Sequence, residues 1–298
     1  MRTVYLGTSE FAAQVLGTLA ASPHRPALVV TRPDRPRGRG RRLAAPPVAD
    51  AARELGIDLD QPESVNDEAA RQRIAAAAPD AVIVCAFGAL IREPLLSEHP
   101  ILNVHPSLLP RWRGAAPIER AIMAGDECTG VAIMCLTEGL DSGPVCLTGD
   151  EPIAPDDTYG TLAPRLAALG GRLLVQALDT SPPFQAQDEA AVTYADKITV
   201  EDRILAPGRP ADELARVVRA LAPHIGAAVI EPDGERLGIW EATARPAAAG
   251  DPAPGELRLD AGPVPVLGCS PGTLALDVVQ PGGRRAMPGA DFLRGRRG

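Results

Sequence analysis

The chain has 298 residues, of which 45% are hydrophobic and 23% charged, so its length fits two domains and its composition excludes a disordered chain and a membrane protein. The formal net charge of -8 excludes a protein whose whole surface binds nucleic acid, although it allows a local basic patch. The five cysteines form no C-x-x-C pair and no apolar run has signal-peptide or membrane-spanning length, so we expect a cytoplasmic protein without membrane contact.

The first half of the chain alternates short β-branched runs with helical patterns, an order typical of a sheet covered by helices on both faces. Residues 4–6 and 27–31 are predicted as strands, with a helix over residues 10–21 between them. Further strands of continuous apolar character are predicted at residues 81–87, 101–104 and 131–136. Strands that are apolar on both faces belong to the centre of such a sheet. We therefore expect a doubly wound α/β domain whose sheet is mostly parallel.

The second half begins with a long helix and ends in short strands. Apolar residues recur at helical spacing at Leu162, Leu166, Leu169, Leu173 and Ala177, and the segment Asp156-Asp157-Thr158 offers N-cap chemistry just before them. A polar, proline-containing stretch over residues 181–189 indicates a connection between domains, and a second helix is predicted at residues 212–221. Short strands are predicted at residues 227–231, 237–242, 256–260, 264–269 and 273–280. Such a series is typical of a small β-barrel of the OB type.

The first candidate site lies where the strand at residues 101–104 runs into a proline-bracketed loop. Alternation along the strand places Asn103 and His105 on the same face. Open α/β sheets bind ligands beyond the carboxyl ends of their strands, which is where this pair emerges. A single histidine at a strand end is more often structural, but the asparagine before it and the fixed turn after it favour chemistry. Both interpretations stay open at this point.

The second candidate is Asp141, in a loop directly after another buried strand. Gly139 and Gly143 allow tight backbone geometry around it, although an ordinary Asp-Ser-Gly turn has the same pattern. Together with His105, Asp141 supplies the carboxylate that orients a catalytic imidazole. The chain lacks a G-x-G-x-x-G turn for a dinucleotide and a G-x-S-x-G elbow that would make Ser107 a hydrolase nucleophile. No histidines or cysteines have ligand spacing, so no metal site is predicted.

The third candidate is a basic segment in this acidic chain. Residues 32–42 contain six arginines and one aspartate. Such a block is either a solvated loop or an arm that binds a polyanion, for which guanidinium groups suit phosphate. Its position directly after a strand, at the presumed ligand edge of the sheet, favours phosphate binding.

Several long segments carry a specific family resemblance, in order, along nearly the whole chain. The two longest are NVHPSLLPRWRGAAPIERAI at residues 103–122 and TGVAIMCLTEGLDSGPV at residues 129–145. The others are YLGTSEFA at 5–12, TRPDRPRGRGRRL at 31–43, QPESV at 61–65, TYADKIT at 193–199, RLGIWEA at 236–242 and VQPGGRRAMPGADFLRGRR at 279–297. In these segments the sequence resembles the methionyl-tRNA formyltransferase family.

This resemblance implies a layout and an activity. The layout is a Rossmann-like formyltransferase catalytic domain at residues 1–189, a linker at 190–206 and an OB-like tRNA-binding domain at 207–298. The activity is transfer of the formyl group of 10-formyltetrahydrofolate to the α-amino group of methionine on initiator tRNA, by a monomer.

The resemblance also implies roles for individual residues. The catalytic residues are Asn103, His105 and Asp141. The folate contacts are Ser107, Leu108, Leu109, Pro110, Phe87, Gly88 and Leu90. The tRNA contacts are Arg35, Arg37, Arg39, Arg41 and Arg42, with Arg39 matching the key arginine of the family. Arg111, Trp112 and Arg113 either hold the tRNA end or brace the folate loop.

One departure and several rival functions accompany the resemblance. Residues 222–226 read Ala-Pro-His-Ile-Gly where the family commonly has an Asn-Pro-Trp-Pro-Gly-like segment, which puts the details of C-terminal tRNA contact in doubt. Relatives with the same Asn-His-Asp chemistry formylate sugar nucleotides or glycinamide ribonucleotide, or hydrolyse formyl-folate. The arginine-rich arm favours tRNA over these small acceptors. A non-catalytic RNA-binding module is a further alternative, against which the intact trio argues.

Overall fold

The computed structural model describes residues 1–37, 42–231, 233–260 and 262–296. The chain forms two compact units, each built from separate stretches. Unit 1 comprises Met1–Gly114, Cys128–Pro152 and Ala163–Tyr194. Unit 2 comprises Ala115–Glu127, Ile153–Leu162 and Ala195–Gly298. Within the described residues, no helix has the length and apolar character needed to cross a membrane.

Strands and helices alternate through the first half of the chain and give way mainly to strands near its end. The strands are β1 (Thr3–Gly7), β2 (Pro26–Val30), β3 (Arg35–Arg37), β4 (Arg42–Ala44), β5 (Leu59–Asp60), β6 (Ala81–Cys85), β7 (Ile101–His105), β8 (Arg113–Gly114), β9 (Cys128–Cys135), β10 (Val145–Pro152), β11 (Tyr194–Ala195), β12 (Ala227–Ile230), β13 (Arg236–Arg245), β14 (Leu257–Arg258), β15 (Val266–Gly268), β16 (Thr273–Gln280) and β17 (Met287–Pro288). The helices are α1 (Glu10–Ala20), α2 (Pro47–Leu55), α3 (Glu68–Ala76), α4 (Leu95–Glu98), α5 (Pro117–Ala124), α6 (Tyr159–Thr180), α7 (Ala211–Leu221) and α8 (Gly289–Arg296).

Unit 1 is organised around a seven-stranded sheet in the order β10-β9-β7-β6-β1-β2-β5. The neighbours from β5 to β7 pair in parallel, and β9 and β10 add an antiparallel edge. Every residue of β1 and β6 is buried, as expected for central strands with helices on both faces. The predicted mostly parallel α/β sheet is therefore confirmed.

Local chemistry explains where the elements begin and end. The backbone N–H of Ala12 donates to Ser9 Oγ at 3.2 Å, which caps the start of α1. At the start of α6, the predicted cap forms: Thr161 N–H donates to Thr158 Oγ1 at 3.2 Å, and Thr158 N–H donates to Thr161 Oγ1 at 2.9 Å. The strand predicted at residues 81–87 ends instead at Cys85, because Ala86 has a φ of 42° and leaves the extended conformation.

The polar stretch at residues 181–189, predicted to connect domains, lies within unit 1. The backbone N–H of Gln185 donates to the carbonyl of Val145 at 2.9 Å, and the N–H of Val145 donates back at 2.9 Å. This pairing extends the edge of β10. The stretch has too few apolar residues to give a strand pattern, so the sequence did not predict its attachment.

Unit 2 contains an antiparallel sheet in the order β12-β13-β16-β15-β14, with β17 also paired to β16. Strands occur in all five predicted regions: β12, β14 and β15 are shorter than predicted, β13 is longer, and β16 has the predicted bounds. Helix α7 covers this sheet and buries Leu214 and Val218 in a core shared with Ile239 and Leu276. Burial of such side chains supplies the main stabilisation of a unit of this size.

Candidate active site

Two polar side chains are buried on the otherwise apolar strand β7. Asn103 is 8% exposed and His105 is 4% exposed. They share one face of the strand because successive side chains alternate. Buried polar groups require hydrogen-bond partners, so the partners of these two residues define the site.

The imidazole of His105 lies between two oxygen acceptors. Its Nε2 is 2.9 Å from the carbonyl oxygen of Trp112. Because a carbonyl oxygen only accepts, Nε2 carries a hydrogen and donates it. On the other side of the ring, Nδ1 is 3.6 Å from Asp141 Oδ2. An imidazolium in this position would have an acceptor facing each of its N–H groups.

Asp141 connects the two strand residues. Its Oδ2 accepts a hydrogen bond from the backbone N–H of Gly114 at 2.9 Å. Its Oδ1 is 3.5 Å from Asn103 Nδ2, at the long limit of a hydrogen bond. The structure therefore brings together the three side chains that the sequence predicts as catalytic, although Asp141 is 38 residues from Asn103 along the chain.

Asp141 reaches this position through a loop that turns back. Strand β9 is antiparallel to β7, and Cys135 lies opposite Leu102, near the amino end of β7. The loop is closed by a backbone hydrogen bond, in which the N–H of Cys135 donates to the carbonyl of Pro144 at 2.9 Å. Within it Asp141 has a φ of 44°, a conformation that costs energy in a residue other than glycine. A Cβ on Gly143 would lie 1.9 Å from the Cys135 carbonyl oxygen, so this position requires glycine.

The predicted folate loop follows β7 directly. The Ser107 hydroxyl is buried and donates to the carbonyl of Arg111 at 2.6 Å, so it braces the loop. A Cβ on Gly130 would lie 2.5 Å from Leu108 Cδ2, which shows how closely Leu108 packs on β9. The Leu109–Pro110 peptide bond is cis.

The second predicted folate segment buries the side chain of Phe87 and exposes that of Leu90. The Phe87 side chain is buried in the core of unit 1, and its carbonyl accepts a hydrogen bond from Thr8 Oγ1 at 2.7 Å. The carbonyl of Gly88 accepts from Arg32 at 3.2 Å. Leu90, by contrast, is 64% exposed.

The basic segment contains a short hairpin of β3 and β4, in which Arg37 pairs with Arg42. The Arg35 side chain is 60% exposed, and its guanidinium lies 3.7 Å from Glu63 Oε2. Ion pairs this exposed contribute little and leave the cation available to other anions. Of the other predicted tRNA contacts, Arg39 and Arg41 lie outside the described residues.

The sequence did not predict a polar network that binds the backbone of the Asp141 loop. Gln187 Nε2 donates to the carbonyl oxygens of Asp141 at 2.8 Å and Gly143 at 2.7 Å. Its Oε1 accepts from Arg113 Nε at 3.0 Å. Gln187 lies 46 residues beyond Asp141, in a stretch without a motif, so no local signal identifies it.

Arg113 is 3% exposed and lies in this network. Trp112 contributes its carbonyl oxygen to His105, and it has a φ of 64°. Arg111 stacks on the Trp112 ring, with 4.4 Å between the guanidinium carbon and the ring centroid. These contacts place Trp112 and Arg113 beside the three side chains that are predicted to be catalytic.

The arrangement places the side-chain amide of Asn103 and the Nδ1 edge of the His105 imidazole beside one carboxylate. Such a group can stabilise negative charge that develops on an oxygen atom while the carboxylate receives a proton. No cluster of three or more metal-binding side chains occurs in the part of the chain that the structure describes. The geometry is thus suited to acyl-type transfer carried out by side chains.

Comparisons with known proteins agree with this chemistry. The formyl transferase family model matches residues 1–178, and the model of the formyl transferase C-terminal domain matches residues 197–297. A methionyl-tRNA formyltransferase from Methylobacillus flagellatus is 43% identical over 99% of this chain and 96% of its own length. One from Halorhodospira halophila is also 43% identical, again over 99% of this chain and 96% of its own length.

A solved structure shares the fold. HypX from Aquifex aeolicus, in complex with tetrahydrofolic acid, has a TM-score of 0.68 at 17% identity, with 98% of this chain covered. The chain spans 47% of the length of HypX. At this identity the likeness concerns the fold alone.

The chain belongs to the formyl transferase family of enzymes. The predicted resemblance to methionyl-tRNA formyltransferase is confirmed by relatives that match almost from end to end.

Proposed function

We propose that this protein transfers the formyl group of 10-formyltetrahydrofolate to the α-amino group of methionine on initiator tRNA. The observation that carries the proposal is the convergence of Asn103, His105 and Asp141 in a chain 43% identical to methionyl-tRNA formyltransferases. The product would be N-formylmethionyl-tRNA for translation initiation.

The trio has a defined role in this reaction. The neutral amine attacks the formyl carbon, and the carbonyl oxygen becomes an oxyanion in the tetrahedral intermediate. Asn103 Nδ2 and the Nδ1–H of a protonated His105 donate to that oxyanion. Nδ1 is the reacting nitrogen because Nε2 already donates to the Trp112 carbonyl at 2.9 Å. Asp141 accepts the amine proton, directly or through water, and that proton passes to N10 of the folate as N10 leaves and the intermediate collapses.

The folate would lie along the loops that follow β7 and β6. Ser107 braces the first loop through its hydrogen bond to the Arg111 carbonyl, and the exposed Leu90 offers an apolar contact from the second. HypX, which shares the fold, was solved with tetrahydrofolic acid, and this supports a folate co-substrate here.

The tRNA would be bound by two regions. The basic segment at residues 35–42 would contact the acceptor stem, with Arg39 as its main contact. The C-terminal domain, which we place at residues 207–298 after a linker at 190–206, would form an OB-like barrel from the antiparallel sheet of unit 2. A monomeric state and a cytoplasmic location remain predictions.

The proposed function is tested by offering three acceptors in one assay. Transfer of labelled formyl from 10-formyltetrahydrofolate is measured to Met-charged initiator tRNA, Met-charged elongator tRNA and a sugar-nucleotide amine. We expect strong preference for the initiator. Transfer to the small amine alone would leave the Asn-His-Asp chemistry in place and contradict the tRNA assignment.

The basic segment should govern tRNA affinity and its salt dependence. We expect Arg39→Ala to raise KM for tRNA while leaving KM for the folate unchanged. If one phosphate contact is lost, the plot of log tRNA affinity against log salt concentration should become less steep by about 1.

Arg172→Ala, on the exposed side of α6, provides the matched control for this prediction. It removes the same charge away from the basic segment and should leave both KM values unchanged. A selective rise in KM for the folate in Arg39→Ala would contradict the assignment.

A further inference from the structure

The backbone of Asp141 adopts an unusual conformation. The residue has a φ of 44°, outside the regions that L-residues usually adopt. A conformation of this kind persists only where surrounding contacts enforce it. One such contact to the backbone of Asp141 comes from the side chain of Gln187.

Gln187 binds the strained residue and the loop that follows it. Its Nε2 has two hydrogens, and these meet the carbonyl oxygens of Asp141 at 2.8 Å and Gly143 at 2.7 Å. Both donors of the amide are thereby used on the loop that carries the carboxylate. The loop between Asp141 and Gly143 is therefore fixed at each end by one side chain.

Arg113 fixes the orientation of that amide. Its Nε donates to Gln187 Oε1 at 3.0 Å. If the amide were flipped, its NH₂ group would face the Nε–H of Arg113, and two donors would oppose each other, so the flipped orientation is excluded. The rest of the guanidinium donates to the two carboxylate oxygens of Glu189, at 2.7 and 3.2 Å. These hydrogen bonds to Glu189 raise the pKa of Arg113, so its charge is maintained despite burial.

We propose that Gln187 is a positioning residue for catalysis, which holds Asp141 in its strained conformation beside Asn103 and His105 while Arg113 keeps the amide correctly oriented. This inference rests on the proposed function, in which Asp141 accepts a proton. Gln187 does not touch the reacting atoms. It acts through the backbone of the Asp141 loop.

An isosteric substitution separates this role from simple packing. Gln187→Glu keeps the shape of the side chain and its acceptor for Arg113, but it directs a carboxylate oxygen at two carbonyl oxygens. Because repulsion replaces two hydrogen bonds, the Asp141 loop should move. Gln187→Ala removes the same donors without adding charge and serves as the second variant if Gln187→Glu does not fold.

The first readout is steady-state formyl transfer to Met-charged initiator tRNA. A displacement of about 1 Å at a catalytic group can reduce rates strongly, so we expect kcat to fall roughly 10- to 100-fold in Gln187→Glu. The KM values for tRNA and folate should change by no more than about twofold, since the amide of Gln187 is engaged with Arg113 and the Asp141 loop. Gln187→Ala should show a smaller loss of kcat.

The second readout needs no turnover. The N–H of Gly114 donates to Asp141 Oδ2 at 2.9 Å, so its amide resonance in glycine-labelled protein reports the position of the carboxylate. We expect this resonance to shift in both variants. The matched control is Gln185→Glu, because Gln185 is exposed and pairs with Val145 through its backbone. It should leave kcat and the Gly114 resonance unchanged.

Two results would overturn the positioning role. One is an unchanged kcat and an unchanged Gly114 resonance in Gln187→Glu, or in Gln187→Ala if the first variant does not fold. The other is an equal loss of kcat in Gln185→Glu, which would indicate a general charge effect. If the unmodified protein forms no formylmethionyl-tRNA, the proposed function fails, and the Gly114 resonance still decides whether Gln187 positions Asp141.

Discussion

His105→Ala should lower kcat for formyl transfer by roughly 10²–10³, the usual cost of removing one donor from an oxyanion site. The substitution removes the imidazole, whose Nε2–H donates to the Trp112 carbonyl and whose Nδ1 lies 3.6 Å from Asp141 Oδ2. Single-turnover assays with saturating tRNA and folate would measure the chemical step without the contribution of product release.

The control for this prediction is His99→Ala, which makes the same change in unit 1 just before β7. It should keep kcat within about twofold of the unmodified protein, as expected for a substitution away from the site. Asn103→Ala should show a loss comparable with that of His105→Ala, because Asn103 provides the other donor. Near-normal turnover in His105→Ala would contradict the assignment of its imidazole to the oxyanion.

Much of the fold followed from patterns that act locally. Continuous apolar runs predicted β6 and β7 because a central parallel strand is buried on both faces. The segment Asp156-Asp157-Thr158 predicted the start of α6 because a helix leaves its first N–H groups without partners, and Thr158 supplies a partner for one of them. In the site, alternation along β7 was enough to place Asn103 and His105 together.

The remaining features depend on groups that carry no sequence signal. The partners of His105 and Asp141 include the carbonyl of Trp112 and the N–H of Gly114, and every residue has such backbone groups. Gln187 reaches Asp141 only after the chain folds, from a polar stretch that is typical of a connection. The antiparallel direction of β9, which determines how Asp141 returns to the site, is likewise set by tertiary pairing. The sequence therefore predicted Asn103, His105 and Asp141 but did not predict the groups that hold them in place.

Asp141→Asn should lower kcat by roughly 10²–10⁴, the usual contribution of a group that transfers a proton in the transition state. The amide has the shape of the carboxylate. Its oxygen can still accept from Gly114 N–H, whose donor lies 2.9 Å from Oδ2. Its NH₂ group would then face Asn103 Nδ2, and that side chain would turn to present its own oxygen. The site would stay packed while losing its proton acceptor and the negative charge beside His105.

This prediction therefore distinguishes a loss of catalysis from a loss of folding stability. The melting temperature of Asp141→Asn should stay close to that of the unmodified protein, while turnover falls and KM for tRNA and folate changes little. Asp67→Asn is the matched control, because Asp67 is exposed at the start of α3 and its side chain makes no cap hydrogen bond. If Asp141→Asn retained full kcat, the amine proton would have to leave by another route, and the carboxylate would act only as a structural partner of His105 and Gly114.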